Sequence, residues 1–176
     1  LMKFLEHDIA DKNFLRYISR FLKSGIVENG AILESDKGTP QGGQISPILA
    51  NVYLHYVLDL WCERILKQYV RGEIYYVRYA DDFLLMFQYE EEAKRVLELL
   101  RTRLAKFGLE VAEDKTRILP IGRFKGTKED FDFLGFTFFN TKTRGGKYRL
   151  GVRTSKKKQK MKKQAAKAWL KTRLTK

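Results

Sequence analysis

Residues 74–87, IYYVRYADDFLLMF, set two runs of strand-forming side chains on either side of Ala80, Asp81 and Asp82. Ile74–Tyr79 and Phe83–Phe87 are aromatic and aliphatic segments that suit a pleated, half-buried surface, and the three residues between them are enough for a hairpin tip. No other stretch restricts the fold as strongly, because it demands an antiparallel pair with two adjacent carboxylates at its turn. Burying a carboxylate is expensive unless something pairs with it. The tip is therefore either a plain turn with solvated aspartates or a cation site, and the hairpin alone leaves both readings open.

The flanking segments set this hairpin in a helical frame. Asp11 is placed to cap a helix whose apolar positions Phe14, Leu15, Ile18, Phe21 and Leu22 recur at helical spacing up to Gly25. Residues 26–44 alternate short apolar positions with turn residues and end in a loop with Gly38, Pro40, Gly42 and Gly43. Ser46 suits an N-cap and Pro47 the first helical position, which predicts a helix from about Pro47 to about Lys67. Glu90, Glu91 and Glu92 suit the positive end of a further helix, with Ala93, Val96, Leu97, Leu100, Leu104 and Phe107 inward and Gly108 as its stop. LEVAEDKTRIL reads as an interrupted strand, and FDFLGFTFF and KYRLGVRT as two more. From Ser155 a basic helix follows, with Met161, Ala165, Ala168, Trp169 and Leu170 as a narrow apolar seam.

The middle of the chain thus runs helix, strand, strand, helix, strand, an α+β order that matches the split βαβ (ferredoxin-like) plan without its first strand. That strand is an interior one in such sheets, so its absence would leave the hairpin an open flank unless another segment fills it.

Charge narrows the partners. Thirty-five Lys and Arg against twenty-one Asp and Glu give a net charge of +14, which favours nucleic acid or an anionic surface. The single cysteine, Cys62, forms no internal disulfide, and two histidines without neighbouring cysteines build no ordinary zinc site. No apolar run approaches the roughly 18 residues of a membrane helix, and the N-terminus has no signal-peptide pattern. The expected setting is cytoplasmic, without membrane contact. No pattern assigns an oligomeric state.

Four motifs carry a resemblance. TPQGGQISPILANVYL (39–54), YADD (79–82), GLEVAEDKT (108–116) and FLGF (133–136) together resemble the palm of reverse transcriptases, most closely the group II intron type. The resemblance covers residues 1–153, and residues 154–176 resemble the start of the family's helical thumb. It implies an RNA-directed DNA polymerase acting on an RNA template, a DNA primer and dNTPs, with Mg²⁺, or Mn²⁺ in its place, as cofactor. Two-metal phosphoryl transfer needs hard oxygen ligands. By resemblance Asp81 is the direct ligand and Asp82 the auxiliary one, Gln41 with Gly42 and Gly43 lies beside the incoming nucleotide, and Tyr79 lies near the primer or template.

Lys115 resembles the lysine that meets the triphosphate, and Leu134 with Gly135 the turn that grips the primer. Lys156, Lys157, Lys158, Lys160, Lys162 and Lys163 suit phosphate contacts. The family's further metal-binding aspartate lies upstream of the helices seen here, and Asp8, Asp11 and Asp36 are not convincing substitutes. These residues alone are expected to be nearly inactive. The alternative is a non-catalytic, maturase-like module that binds structured intron RNA. A nucleotide cyclase would carry a Gly-Gly-acidic turn where this chain has YADD.

Overall fold

The computed structural model describes residues 1–23, 26–28, 31–33, 45–123 and 129–174. They fall into two compact units, Leu1–Asp114 and Lys115–Lys176. Helices and antiparallel strands are both present, so the α+β expectation holds.

The first unit opens with α1 (Met2–Asp8) and α2 (Lys12–Lys23). Asp11 caps α2 as expected, its Oδ1 accepting the amides of Asn13 at 2.8 Å and Phe14 at 3.2 Å. Only part of the expected apolar face is used: Leu15 and Ile18 are buried, while Phe14 and Phe21 are exposed. Strands β1 (Ile26–Glu28) and β2 (Ala31–Leu33) pair antiparallel.

A helical rod follows over residues 46–69. It starts as α3 (Ser46–Leu54), winds as π-helix over His55–Asp59 and Trp61–Leu66, and ends in α4 (Lys67–Tyr69). Its start lies one residue before the expected one. Ile45 holds the N-cap position, Ser46 is already helical and Pro47 sits in the first turn, where its missing N–H costs nothing.

The rod carries most of the first core. Val57, Leu58, Trp61, Cys62 and Leu66 pack with Val96, Leu100 and Leu104 of α5 (Glu90–Ala105). Each such aliphatic side chain contributes roughly 1.5–3 kcal/mol by leaving water. Burial pushes the Cys62 thiol up to about 12, and the residue packs as the small hydrophobe its sequence context implies. Glu90–Glu92 occupy the first turn of α5. Glu92 is buried there, and its carboxylate accepts the Arg71 amide at 2.7 Å, which gives that glutamate a structural task. α5 ends where Gly108 adopts φ 68, with Gly108 N donating to Ala105 O at 3.1 Å and Leu109 N to Leu104 O at 3.0 Å. That pair of bonds is a Schellman stop.

Strands β3 (Ile74–Tyr79) and β4 (Asp82–Phe87) form the expected hairpin, a two-stranded sheet among the described residues. One face, with Ile74, Tyr76, Phe83, Leu85 and Phe87, packs on the core. On the other face Tyr75, Val77, Tyr79 and Met86 are exposed.

Two strand expectations need correction. Residues 109–121 form no strand. The alternation of Leu109 and Val111 reflects packing on the core, but a strand also needs a neighbour to take its backbone hydrogen bonds, and no described segment pairs there. The segment is instead pinned by Arg101, whose Nε and Nη2 donate to the two Glu113 oxygens at 2.9 and 2.7 Å.

The second correction lies in the second unit, where FDFLGFTFF is not one strand. It breaks at Leu134–Gly135 into β5 (Asp130–Phe133) and β6 (Phe136–Lys142), which with β7 (Tyr148–Thr154) form an antiparallel sheet in the order β5-β6-β7. Helix α6 (Lys156–Leu174) closes the unit. All of its side chains are exposed, so the expected seam of Met161, Ala165, Ala168, Trp169 and Leu170 has no cover among the described residues. Among the described residues, no helix is long and apolar enough to cross a membrane.

Candidate active site

The hairpin tip is tighter than the sequence implies. Asp82 pairs with Tyr79 as the last rung of the ladder, so the turn is two residues, Ala80 and Asp81, instead of three. Opposed residues share a face, which puts Asp82 on the outer face with Tyr79. Asp81 sits in the turn itself. Tyr79 is 66% exposed and both aspartates are exposed. Ala80 has φ 54, a left-handed backbone that alanine enters only at a cost.

Behind the tip lies a polar network that sequence reasoning missed. Arg78 alternates with Ile74 and Tyr76, so it faces inward with them, and an inward guanidinium needs a carboxylate. Asp59 of the rod supplies it. Arg78 Nε donates to Asp59 Oδ1 and Nη2 to Asp59 Oδ2, both at 2.6 Å, a two-pronged pair. Arg78 Nη1 donates to Asn51 Oδ1 at 2.7 Å and to the Ala80 carbonyl at 2.8 Å. Tyr76 OH donates to Asp59 Oδ1 at 2.7 Å. Burial alone would raise the Asp59 carboxyl, but the hydrogen bonds from Arg78 and then Tyr76 outweigh it and hold the carboxyl below its ordinary value. The signal available in sequence was the parity of Arg78 with the buried face.

The donor chemistry at the tip suits a hard divalent cation. Asp81 and Asp82 offer oxygen ligands only, and neither carboxylate is engaged in a hydrogen bond or ion pair with a described residue. Among the described residues no third His, Cys, Asp or Glu joins them to make a fuller cluster.

In the second unit, Lys115 is exposed in a turn over residues 113–115. Leu134 and Gly135 form the two-residue turn between β5 and β6, with φ 51 and 81. Its carbonyl at Gly135 accepts the Ser155 amide at 3.0 Å, and Ser155 Oγ in turn accepts the Lys158 amide at 3.4 Å at the start of α6. The Lys158 side chain lies over this turn: a Cβ on Gly135 would stand 2.6 Å from Lys158 Cδ, and Lys158 Nζ is 5.8 Å from the centre of the Phe136 ring.

The other lysines divide by helical phase. Lys156, Lys160 and Lys163 share one exposed stripe with Lys167, which sequence reasoning missed. Lys157 and Lys162 are exposed away from it. Gln41, Gly42 and Gly43 lie outside the described residues. The structure thus groups Tyr79, Asp81 and Asp82 at one tip, and Leu134, Gly135 and Lys158 at another.

Comparison with known proteins agrees with these motifs. The family described as Reverse transcriptase (RNA-dependent DNA polymerase) matches residues 2–138. The chain is 33% identical over 147 residues to the group II intron-encoded protein LtrA of Lactococcus lactis subsp. cremoris, a match that covers 72% of this chain and 24% of that protein. It is 27% identical over 183 residues to protein YkfC of Escherichia coli (strain K12), covering 85% of this chain and 45% of that protein. The chain therefore spans less than half the length of these relatives. With most of its residues matched, the chain belongs to the reverse transcriptase (RNA-dependent DNA polymerase) family and is related to group II intron-encoded proteins.

Proposed function

We propose that these residues are the palm and the start of the thumb of a group II intron-type RNA-directed DNA polymerase, with residues 1–153 as partial palm and 154–176 as the first thumb helix. The observation that carries this reading is the pair of exposed carboxylates, unengaged among the described residues, at the tip of the buttressed hairpin. Bound Mg²⁺, or Mn²⁺, supplies activation of the primer hydroxyl and stabilisation of the triphosphate charge. Asp81 offers the direct oxygen ligand and Asp82 the auxiliary one. Tyr79 stands beside them, exposed, where a primer or template nucleotide can pack on its ring.

Gln41, Gly42 and Gly43 lie beside the incoming dNTP. Lys115 holds the triphosphate and gives a proton to the leaving pyrophosphate. Leu134 and Gly135 grip the primer end. The split βαβ palm is completed by a first strand upstream of the matching residues, and that strand carries the third metal-binding aspartate. These 176 residues by themselves are accordingly nearly inactive. The test is to supply the family's upstream segment and follow Mg²⁺-dependent extension of a DNA primer on an RNA template. Asp81→Ala is expected to lower the rate at least about a hundredfold; undiminished extension would overturn the assignment.

A second reading, RNA binding without catalysis as in a maturase, is favoured by the lysine stripe on the exposed α6 and by the net charge of +14. It predicts salt-sensitive affinity for structured intron RNA that survives Asp81→Ala and falls when Lys156, Lys160 and Lys163 are neutralised.

A further inference from the structure

We infer that Arg78 and Asp59 position the metal-binding tip: their fork, anchored on the helical rod, holds the Ala80 carbonyl and so sets the direction in which Asp81 is presented. The inference rests on the reading of Asp81 and Asp82 as metal ligands.

The turn lacks the residues that would lock it by itself. Two-residue hairpin turns with positive φ are normally held by glycine or asparagine, but here Ala80 takes φ 54. A left-handed alanine is strained, so an unsupported tip would relax into other turn conformations and carry Asp81 with it. One side chain opposes that relaxation. Arg78 Nη1 donates to the Ala80 carbonyl at 2.8 Å, and the rest of the same rigid guanidinium is committed to Asp59 and Asn51. A planar fork with every edge engaged cannot rotate without breaking several charge-assisted bonds at once. A lysine at this place would keep the charge and lose the geometry.

The anchor has its own geometric support. Asn51 and Asp59 are eight positions apart, which on a straight α-helix puts them about 80° apart around the axis. The stretch His55–Asp59 is π-helical, and its wider i→i+5 winding turns less per residue and brings Asp59 back toward the face of Asn51. Both then reach one guanidinium. The fork side chains are sheltered, Arg78 at 11% and Asp59 at 16% exposure, and Tyr76 OH and His55 Nδ1 contact Asp59 at 2.7 and 3.3 Å. Asp59 has a second effect. By neutralising Arg78 it keeps a guanidinium three positions away from capturing Asp81, which leaves that carboxylate for cations.

Two measurements test the inference, the first without metal. Amide hydrogen exchange at residues 80–82 of the chain reads the turn directly. Arg78→Lys is expected to speed it about tenfold or more. With the family's upstream segment supplied, the same variant is expected to raise the Mg²⁺ concentration for half-maximal primer extension at least about fivefold and to lower kcat, with the KM for dNTP within about twofold of the parent. Asp59→Asn gives the same pattern at smaller size, and it serves in place of Arg78→Lys if that variant fails to fold.

Arg103→Lys is the control, since Arg103 also ties the rod through its backbone, donating to Val57 O at 3.0 Å, but does not touch the hairpin tip. It is expected to lower Tm without moving turn exchange or the Mg²⁺ midpoint. If Arg78→Lys and Asp59→Asn behave like Arg103→Lys, the fork is a stability element only and the inference is wrong. Extension that is insensitive to Asp81→Ala would instead overturn the metal-site reading, and the exchange result would still report on the fork.

Discussion

Two hairpin tips of this chain, those of β3–β4 and β5–β6, solve one geometric problem by different means. Each is a two-residue turn whose first residue is a non-glycine in the left-handed region, Ala80 at φ 54 and Leu134 at φ 51. At the second tip the backbone does the holding. Gly135 takes the next left-handed position, β6 is paired on both sides by β5 and β7, and the Gly135 carbonyl accepts the Ser155 amide. The first tip has no such ladder. Among the described residues its sheet has two strands, which are marginal on their own, and its turn carbonyl is held by a side chain that is held by a helix. Main-chain anchoring tolerates side-chain exchange, whereas the first tip depends on a few charged atoms, all removable by point mutation.

Four substitutions test that contrast, from the largest effect down. Arg78→Met leaves Asp59 sheltered without its main partner, and losing one side of such a pair costs on the order of 3 kcal/mol. Urea unfolding should show it, and a cost below about 1 kcal/mol would mean that the two tips are equally backbone-held. Asp59→Asn should cost less, about 2 kcal/mol at neutral pH, because an amide still accepts a hydrogen bond.

The pH dependence of that second cost has a definite sign. The Asp59 carboxyl in the folded chain titrates below its ordinary 3.8, so its stabilisation is complete above that value. It drains away as pH falls through 3.8 toward the folded pKa. The gap between parent and variant should therefore narrow in acid; a gap that is constant from pH 7 to pH 3 would contradict the ion pair.

The smallest effect is a paired glycine exchange. Gly135→Ala should cost about 1 kcal/mol, mostly from backbone strain, since the atoms it meets are the flexible end of Lys158. Ala80→Gly should change thermal stability by less than about 0.5 kcal/mol, because relief of strain and added chain entropy oppose each other.

What the sequence revealed follows from how far each signal reaches along the chain. The hairpin, the Asp11 cap, the acidic first turn of α5 and the stop at Gly108 are written in residues within a turn or two of where they act, and all were legible. The Arg78–Asp59 fork joins positions nineteen apart, and its alignment depends on π-helical winding that no local pattern announces. Residues 109–121 look like a strand because Leu109 and Val111 alternate, yet pairing depends on a neighbour and not on the segment itself. FDFLGFTFF hid a turn because leucine rarely takes a left-handed backbone. At the site, motif recognition found the acidic tip and the lysine-rich helix, while the phase that selects Lys156, Lys160, Lys163 and Lys167 as one stripe emerged only with the helix in place.

Cys62 has a practical consequence. It is the sole thiol of the chain, it lies in the layer beneath the acidic hairpin at 2% exposure, and its elevated pKa keeps it protonated at neutral pH. An alkylating reagent reaches it only when the core packed around the rod opens, so the native protein carries its own reporter of how often that core breathes.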